Sequence, residues 1–250
     1  MLSRVLAFAR RSTKGLLLRR GWRIKEVSDF DYFESLLHYI HRSKGSLTFV
    51  QIGANDGFHN DPLHDFVTRA GAGVRGFALE PVGDYYRDLV RTYASYPGIT
   101  PINAAIHNTE TSMTIHRVDP SKRASVPEWA KGIASFRPDH HELSGTAAGV
   151  MISETVTCMT IKDLLTKHQV GDFDVLVTDT EGYDAEILLA LDFSLCHPRV
   201  IRFEHGLQDG VMSRKRFLDV IGKLKQAGYE IAIESYDATA YLPELFLGRN

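Results

Sequence analysis

The sequence predicts an α/β fold, an open and mostly parallel sheet with helices on both faces, and three observations predict it. Residues 47–52, Leu-Thr-Phe-Val-Gln-Ile, form a short apolar run with β-branched and aromatic members, the pattern of a strand buried on both faces. That run breaks at Gly53-Ala54-Asn55-Asp56-Gly57 into a glycine-bounded polar loop. Such a loop belongs at the carboxyl end of a parallel strand, where side-chain-free residues let backbone N–H groups approach a ligand. Strand-like and helix-like patterns then alternate through most of the remaining chain.

Residues 28–43 open on Ser28-Asp29, a plausible N-cap, and place Phe30, Phe33, Leu36, Leu37 and Ile40 at helical spacing, which predicts an amphipathic helix stopped by Gly45. After the polar loop, Asp61-Pro62 predicts a helix to about residue 70, because proline at the first helical position loses no hydrogen bond. Residues 74–79 read as the second strand, closed by Glu80-Pro81 since proline withholds a ladder donor. A helix over 84–93, the turn Tyr96-Pro97-Gly98 and a short strand over 99–102 complete a βαβαβ unit.

Residues 107–158 break the rhythm. Apolar and polar positions alternate over 112–118 and 154–159, predicting two antiparallel strands around a long polar insert. The insert carries Trp129, Ser135, Phe136, Arg137, His140 and His141 and is read as a loop that shapes an acceptor site. His140 and His141 are adjacent, not at i,i+4 metal-ligand spacing, and are expected on the surface. The α/β alternation resumes with a helix over 161–168 and a strand over 173–178 that ends in Asp179-Thr180-Glu181-Gly182. A helix over 183–191, a strand over 199–203 ending in Glu204-His205, a helix over 213–227 stopped by Gly228, and strands near 229–233 and 242–247 follow.

With 250 residues, 44% hydrophobic and 24% charged, the chain has the makeup of one sizeable globular core. A formal net charge of −2 supplies no field for recruiting nucleic acid, which is not an expected partner. Cys158 and Cys196 are too few for a disulfide framework or a zinc cage and suit a reducing cytoplasm. Charge is one-sided only at the amino terminus, where eight Arg and Lys residues precede the first acid, Glu26. No apolar run there approaches the roughly 18 residues of a membrane span. Residues 1–25 therefore have three readings: a basic helix packed on the domain, a peripheral contact with anionic lipid or glycolipid, or a targeting segment.

Glu80, at the end of the second strand, is placed to accept hydrogen bonds from both hydroxyls of a ribose. The 27 residues from Gly53 to Glu80 exceed the roughly 20 of dinucleotide folds. The first loop also lacks G-x-G-x-x-G, because Asn55 stands in place of the second glycine. A nucleoside fits better than a dinucleotide, and no Tyr-x-x-x-Lys pair supports hydride transfer, so an NAD-dependent oxidoreductase is disfavoured.

These landmarks together resemble the FkbM family of S-adenosylmethionine-dependent methyltransferases over about residues 49–229. The residues that carry the resemblance are Ile52-Gly53-Ala54-Asn55-Asp56-Gly57, Leu79-Glu80-Pro81, Asn103-Ala104-Ala105-Ile106, Thr160-Ile161-Lys162-Asp163-Leu164, and Asp179-Thr180-Glu181-Gly182-Tyr183-Asp184 followed by Ile187-Leu188. Two positions depart: Gln51 stands where the family usually has Asp, and Val177 where Lys is frequent. The resemblance implies a single Rossmann-like class I methyltransferase domain over 46–250, with a seven-stranded, mostly parallel sheet and the polar insert between the third and fourth core strands. Residues 1–45 form the amino-terminal extension. It implies S-adenosylmethionine as cofactor, held by Gln51, Gly53, Ala54, Asn55, Gly57, Glu80, Pro81, Ala104, Ala105 and Asp179. The implied activity is methylation of a hydroxyl, often on a sugar, glycan or glycolipid.

An alcohol is a poor nucleophile until a base or a cation assists loss of its proton. Asp179, Glu181, Glu204 and His205 lie at adjacent strand ends and form the catalytic shortlist; a divalent metal is left open, with Asp179, Glu204 and His205 as its candidate ligands. Opposed readings are that Asp179 or Glu181 caps the following helix, that Glu204 and His205 pair with Arg199 or Arg202, and that Asn55 or Asp56 only forms an Asx turn. A non-sugar natural-product acceptor and a non-catalytic nucleoside-binding module are the alternative functions.

Overall fold

The computed structural model describes residues 31–143 and 145–246. The sheet and the cavity described below belong to one compact unit that begins at Phe33. The readings of residues 1–25 and of the Ser28-Asp29 cap lie outside the described residues.

After the helix Tyr32–Lys44 (α1) the chain runs into β1, Leu47–Ile52. The helix His64–Ala70 (α2), β2 at Val74–Leu79, the helix Gly83–Thr92 (α3) and β3 at Ile99–Ile102 follow. A smaller sheet then interrupts, made of β4 (Ala105–Ile106), β5 (Ser112–Val118), β6 (Ala134–Ser135) and β7 (Met151–Met159), with the short helix α4 (His140–Leu143) before β7. The main sheet resumes through α5 (Ile161–Lys167), β8 (Val175–Thr178), α6 (Asp184–Ala190), β9 (Val200–Glu204), α7 (Arg214–Gln226), β10 (Glu230–Ile233) and β11 (Asp237–Tyr241).

The main sheet has seven strands in the order β3-β2-β1-β8-β9-β11-β10. All neighbouring pairs from β3 to β9 are parallel, and β11 is antiparallel to both β9 and β10. Strand order reverses between β1 and β8. Right-handed crossovers leaving that point in opposite directions put helices on opposite faces and open a crevice at the carboxyl ends of β1 and β8. One core layer joins Val50, Ile52, Leu79, Leu176, Ile201 and Phe203 to Leu188, Phe217, Val220 and Leu224 of α6 and α7. Phe49 points to the other face and lies against Gly76, where an added Cβ would come within 2.5 Å of its ring. The α/β class, the seven strands and the near-parallel sheet match the sequence expectation.

The insert is more ordered than a polar loop. β5 and β7 pair antiparallel along the whole of β5, and β4 and β6 extend them into a four-stranded sheet, β4-β7-β5-β6. Ile115, Val156 and Cys158 pack there with Val82 and Tyr85 at the start of α3.

Three sequence expectations need correction. The last strand is β11, Asp237–Tyr241, not 242–247; residues 243–245 form a 3₁₀ turn opened by Pro243. Ala238 and Ala240 are fully buried between β9 and β10, but Asp-Ala-Thr-Ala-Tyr lacks the bulky apolar run that marks a strand. The second helix begins at His64, with Asp61 Oδ1 accepting from the N–H groups of Leu63 and His64 across the proline. His140 is not a surface residue: it is 3% exposed.

Candidate active site

A cavity of about 300 Å³ opens at the carboxyl ends of β1, β2 and β8, at the point where strand order reverses. This is the position that open α/β sheets use for ligands, and the volume falls at the lower end of the range for small-molecule sites. Its walls include Gln51, Gly53, Ala54, Asn55, Glu80 and Pro81 from the first two strand ends. Asp179, Thr180 and Glu181 come from the third, and Ala105, Ile106 and Ile115 form an apolar side. Tyr85, Arg123, Gly132, Ala134 and Phe136 close it from α3 and the insert. Among the residues singled out in the sequence, Gly57, Ala104, Glu204 and His205 do not line it.

The glycine loop is built differently from the expectation of free N–H groups. Gly53 and Ala54 both donate to the carbonyl of Leu79, at 3.0 and 2.9 Å, which ties β1 to β2. Gly53 has φ +81°, and an added Cβ would lie 1.8 Å from the Asp179 carbonyl oxygen. Gly57 has φ +70° and faces Leu89 and Tyr93 with no room for a side chain. Both glycines serve close packing of the loop. The Asx turn belongs to Asp56, whose Oδ1 accepts from the N–H groups of Phe58 and His59, both at 2.9 Å.

Glu80 is 4% exposed. Its Oε2 accepts from the Asn55 N–H at 2.9 Å and its Oε1 from the Val82 N–H at 2.8 Å. Burial pushes this carboxyl up from 4.5 to about 7, opposed by those two hydrogen bonds. Each oxygen keeps a further acceptor position, as a ribose diol requires. Asn103 Nδ2 donates to the carbonyls of Glu80 and Pro81, at 2.8 and 3.0 Å, and holds the turn after β2. Gln51 is also buried; its side chain bonds Asp61, and its Oε1 has no hydrogen-bond partner among the described residues. A buried acceptor without a donor is costly, so the cavity wall here suits a ligand N–H such as an ammonium. These features fit an S-adenosylmethionine molecule laid across Gln51, the Gly53–Asn55 loop and Glu80.

The loop after β8 supplies carboxylates. Asp179 is exposed, but to a cavity walled by protein, and desolvation drives its carboxyl well above the usual range. The nearby charges of Glu181, Asp184 and Asp237 add to that rise, with Arg202 opposing. Asp179 does not cap α6. Asp184 Oδ2 instead accepts from the Thr180 N–H at 3.2 Å and its hydroxyl at 2.7 Å. Glu181 sits at φ +53°, a conformation that costs a non-glycine residue about 1–3 kcal/mol and persists only where its surroundings hold it. Ser135 Oγ donates to the Glu181 carbonyl at 2.6 Å, and His140 Nε2 lies 2.8 Å from Glu181 Oε2.

Glu204 lies beside this group rather than in the cavity wall. Its carboxyl is driven up to about 11 by burial and by Asp179 and Glu181, so it carries a proton at neutral pH. Arg199 bonds Asp174, and Arg202 bonds Glu234 and Asp237, so neither arginine pairs with Glu204 or His205. His205 is fully engaged by backbone: Nδ1 accepts from the Leu207 N–H at 3.2 Å, leaving Nε2 to donate to the Glu234 carbonyl at 3.2 Å. It has no nitrogen left for a base or a metal. Among the described residues no group of three or more His, Cys, Asp or Glu is arranged to hold a metal ion.

Sequence reasoning gave no site role to Tyr85 or Arg123, read Asp61 only as a helix start and expected His140 on the surface. Tyr85 donates to the Lys131 carbonyl, and Arg123 lies 4.5 Å over its ring; together they join α3 to the insert. Tyr85 is detectable as an aromatic in the first turn of the helix that follows Glu80-Pro81. Arg123 and His140 carry no local signal, because only long-range folding brings Arg123 to the cavity wall and His140 against Glu181 behind it.

The model of the FkbM methyltransferase domain matches residues 51–231. No curated protein gives a significant match. Similar solved structures include the FkbM methyltransferase of Methylobacillus flagellatus KT, at 12% identity and TM-score 0.47 over 78% of this chain and 43% of that one. Aeropyrum pernix fibrillarin with natively bound S-adenosyl-L-methionine aligns at 13% identity and TM-score 0.40 over 78% and 66%. An O-methyltransferase from Bacillus cereus in complex with SAH aligns at 10% and 0.42 over 96% and 90%. This chain thus spans less than two thirds of the first two proteins. No helix among the described residues is long and apolar enough to cross a membrane.

Proposed function

The chain belongs to the FkbM methyltransferase family, and on that premise we propose that it transfers a methyl group from S-adenosylmethionine to a hydroxyl of a sugar, glycan or glycolipid. The observation that carries the reading is that Glu80, suited to a ribose diol, and the carboxylates Asp179 and Glu181 line one cavity at the reversal of strand order. When bound, the cofactor supplies a methyl already activated on a sulfonium, so the protein's task is alignment, worth several kcal/mol of barrier. Glu80 and the Gly53–Asn55 loop hold the nucleoside and amino-acid ends, and Gln51 Oε1 receives a donor that the described residues do not provide. Ala105, Ile106 and Ile115 exclude water on the apolar side.

Asp179 takes the acceptor proton. Its raised proton affinity makes it a stronger base than a solvated carboxylate, and protonated Glu204 beside it removes one repelling charge. Sugar hydroxyls suit a site whose acceptor face is rich in carboxylates, because each oxygen accepts a hydrogen bond from a polyol.

The test combines calorimetry with S-adenosylhomocysteine and with NAD and a turnover screen. The screen incubates the protein with S-adenosylmethionine and free, methyl-glycoside and nucleotide-linked sugars and reads S-adenosylhomocysteine release. Binding of S-adenosylhomocysteine but not NAD, with sugar-dependent release, is expected. Binding without release on any sugar would end the sugar reading.

A further inference from the structure

Glu181 is held from outside its own loop. The insert grips its main chain through Ser135 Oγ, 2.6 Å from the Glu181 carbonyl, and its side chain through His140 Nε2, 2.8 Å from Oε2. His140 is 3% exposed, and its Nδ1 is buried with no hydrogen-bond partner among the described residues. An imidazole in this setting keeps its proton on Nε2, because an unpaired buried N–H at Nδ1 costs more than an unpaired lone pair. Nε2–H therefore donates to Oε2, which fixes the carboxylate and leaves both acceptor positions of Oε1 for the cavity that Glu181 lines. The same part of the insert is anchored on its other side, where Arg137 Nη1 donates to the Val211 carbonyl at 3.2 Å. Tyr183, two residues after Glu181, stacks on His107 with ring centroids 5.0 Å apart.

We propose that His140 is a positioning residue for the acceptor: it fixes Glu181 so that Oε1 accepts a hydrogen bond from the hydroxyl that is to be methylated. This deepens the methyl-transfer reading and rests on it. A Glu side chain has three rotatable bonds, and a carboxylate free to swing would leave the hydroxyl unaligned with Asp179. A misplacement of about 1 Å in such a group costs on the order of 10²-fold in rate. The hydrogen bond, not the imidazole's bulk, does the positioning.

His140→Phe keeps the ring and removes the donor; His140→Gln restores an N–H donor. With the sugar that the screen finds to be turned over, His140→Phe should lower kcat/KM about 10²-fold while calorimetric affinity for S-adenosylhomocysteine stays the same, and His140→Gln should recover most of the loss. A double variant with Glu181→Gln should be no worse than Glu181→Gln alone, as expected for residues that act as a unit. Independently of activity, the ¹⁵N imidazole signals of His140 in the wild-type protein should report Nε2 protonation and should shift in Glu181→Gln. A His140→Phe protein as active as wild type, additive losses in the double variant, or signals indifferent to Glu181→Gln would each overturn the proposal. Wild-type protein that turns over none of the sugars would instead overturn the sugar reading, and this proposal with it.

Discussion

Gly53 and Asp179 meet where the first and fourth strands of the parallel sheet end: the position a Cβ would take on Gly53 lies 1.8 Å from the Asp179 carbonyl oxygen. The two ligand loops are packed backbone to backbone, and Asp179 N–H donates to the Ile52 carbonyl at 3.0 Å. Gly53→Ala must therefore push the loops apart and also force an L side chain into φ +81°. Overpacking costs about 1–3 kcal/mol, or roughly 2–4 °C in Tm per kcal/mol for a chain of this size. Gly45→Ala is the control, since Gly45 has φ +72° with nothing within 4 Å of an added Cβ. Differential scanning fluorimetry should show a larger drop for Gly53→Ala, with loss of S-adenosylhomocysteine binding in that variant alone. Equal drops would mean that backbone conformation, not loop packing, demands the glycine.

Glu80→Ala should weaken S-adenosylhomocysteine by about 10- to 150-fold, the equivalent of a lost charge-assisted hydrogen bond worth about 1.5–3 kcal/mol. The raised value of about 7 gives this contact a pH dependence. Diol hydroxyls donate, and so favour the ionised carboxylate. The fraction ionised in the free protein grows as pH rises through about 7. Affinity should therefore tighten with rising pH, by at most about tenfold per unit below 7, and level off above it. Calorimetry across pH 5.5–8.5 measures this, and Glu80→Gln should flatten the profile. A wild-type profile as flat as that of the variant would remove Glu80 from the ribose.

Asp179→Asn keeps size and hydrogen-bonding capacity and deletes the base. Turnover should fall by roughly 10²–10⁴-fold, with Tm and S-adenosylhomocysteine affinity close to wild type. Because α6 has no side-chain cap hydrogen bond, no helix cap is lost to confuse the result. Chelator should leave wild-type turnover unchanged, since both nitrogens of His205 are engaged by backbone. Turnover abolished by chelator and restored by magnesium would require a different arrangement of these side chains.

Glu204 supplies a stability test. Its proton affinity is raised from 4.5 in the unfolded chain to about 11 in the folded one, chiefly by burial and then by Asp179. The folded state binds the extra proton between those values, so this group's contribution is complete below pH 4.5 and is lost progressively as pH rises toward 11. Glu204→Gln cannot ionise and escapes the loss, which is at most ~1.4 kcal/mol per pH unit. The variant should match wild type near pH 4.5 and exceed it in Tm by pH 8. A Tm difference that does not widen with pH would show that Glu204 ionises freely.

The eight basic residues before Glu26 motivate one more expectation: residues 1–25 contact anionic lipid or an acidic glycolipid. Co-sedimentation with phosphatidylserine vesicles should depend on these residues and fall as salt rises, since screening shortens to about 3 Å at 1 M. Equal co-sedimentation with and without them would leave a packed or targeting segment.

Most of the main sheet was legible in the chain because its strands are largely buried on both faces, which leaves mostly apolar runs at 47–52, 74–79 and 173–178, each punctuated by a polar strand end. The candidate ligand residues at those ends, Gly53, Asn55, Glu80, Asp179 and Glu181, were legible for the same reason, and the cavity gathers them. β11 was not, because a strand sandwiched between two others needs little side-chain bulk, and alanines at 238 and 240 carry no strand signal.

Three matters only the tertiary structure decided. Gln51 and Val177 are separate oddities in the chain, yet they are register partners across β1 and β8 and both are buried. A charge buried at either position would need a counter-charge close by, and neither Gln51 nor Val177 carries a charge. Glu204 and His205 follow a strand just as Asp179 does, but backbone groups occupy the imidazole and the cavity wall passes them by. His140 reads as a surface residue from its neighbours and becomes a buried partner of Glu181. Periodicity and punctuation in a sequence report what lies within a few residues; contacts between residues 41 positions apart exist only once the sheet has brought their strands together.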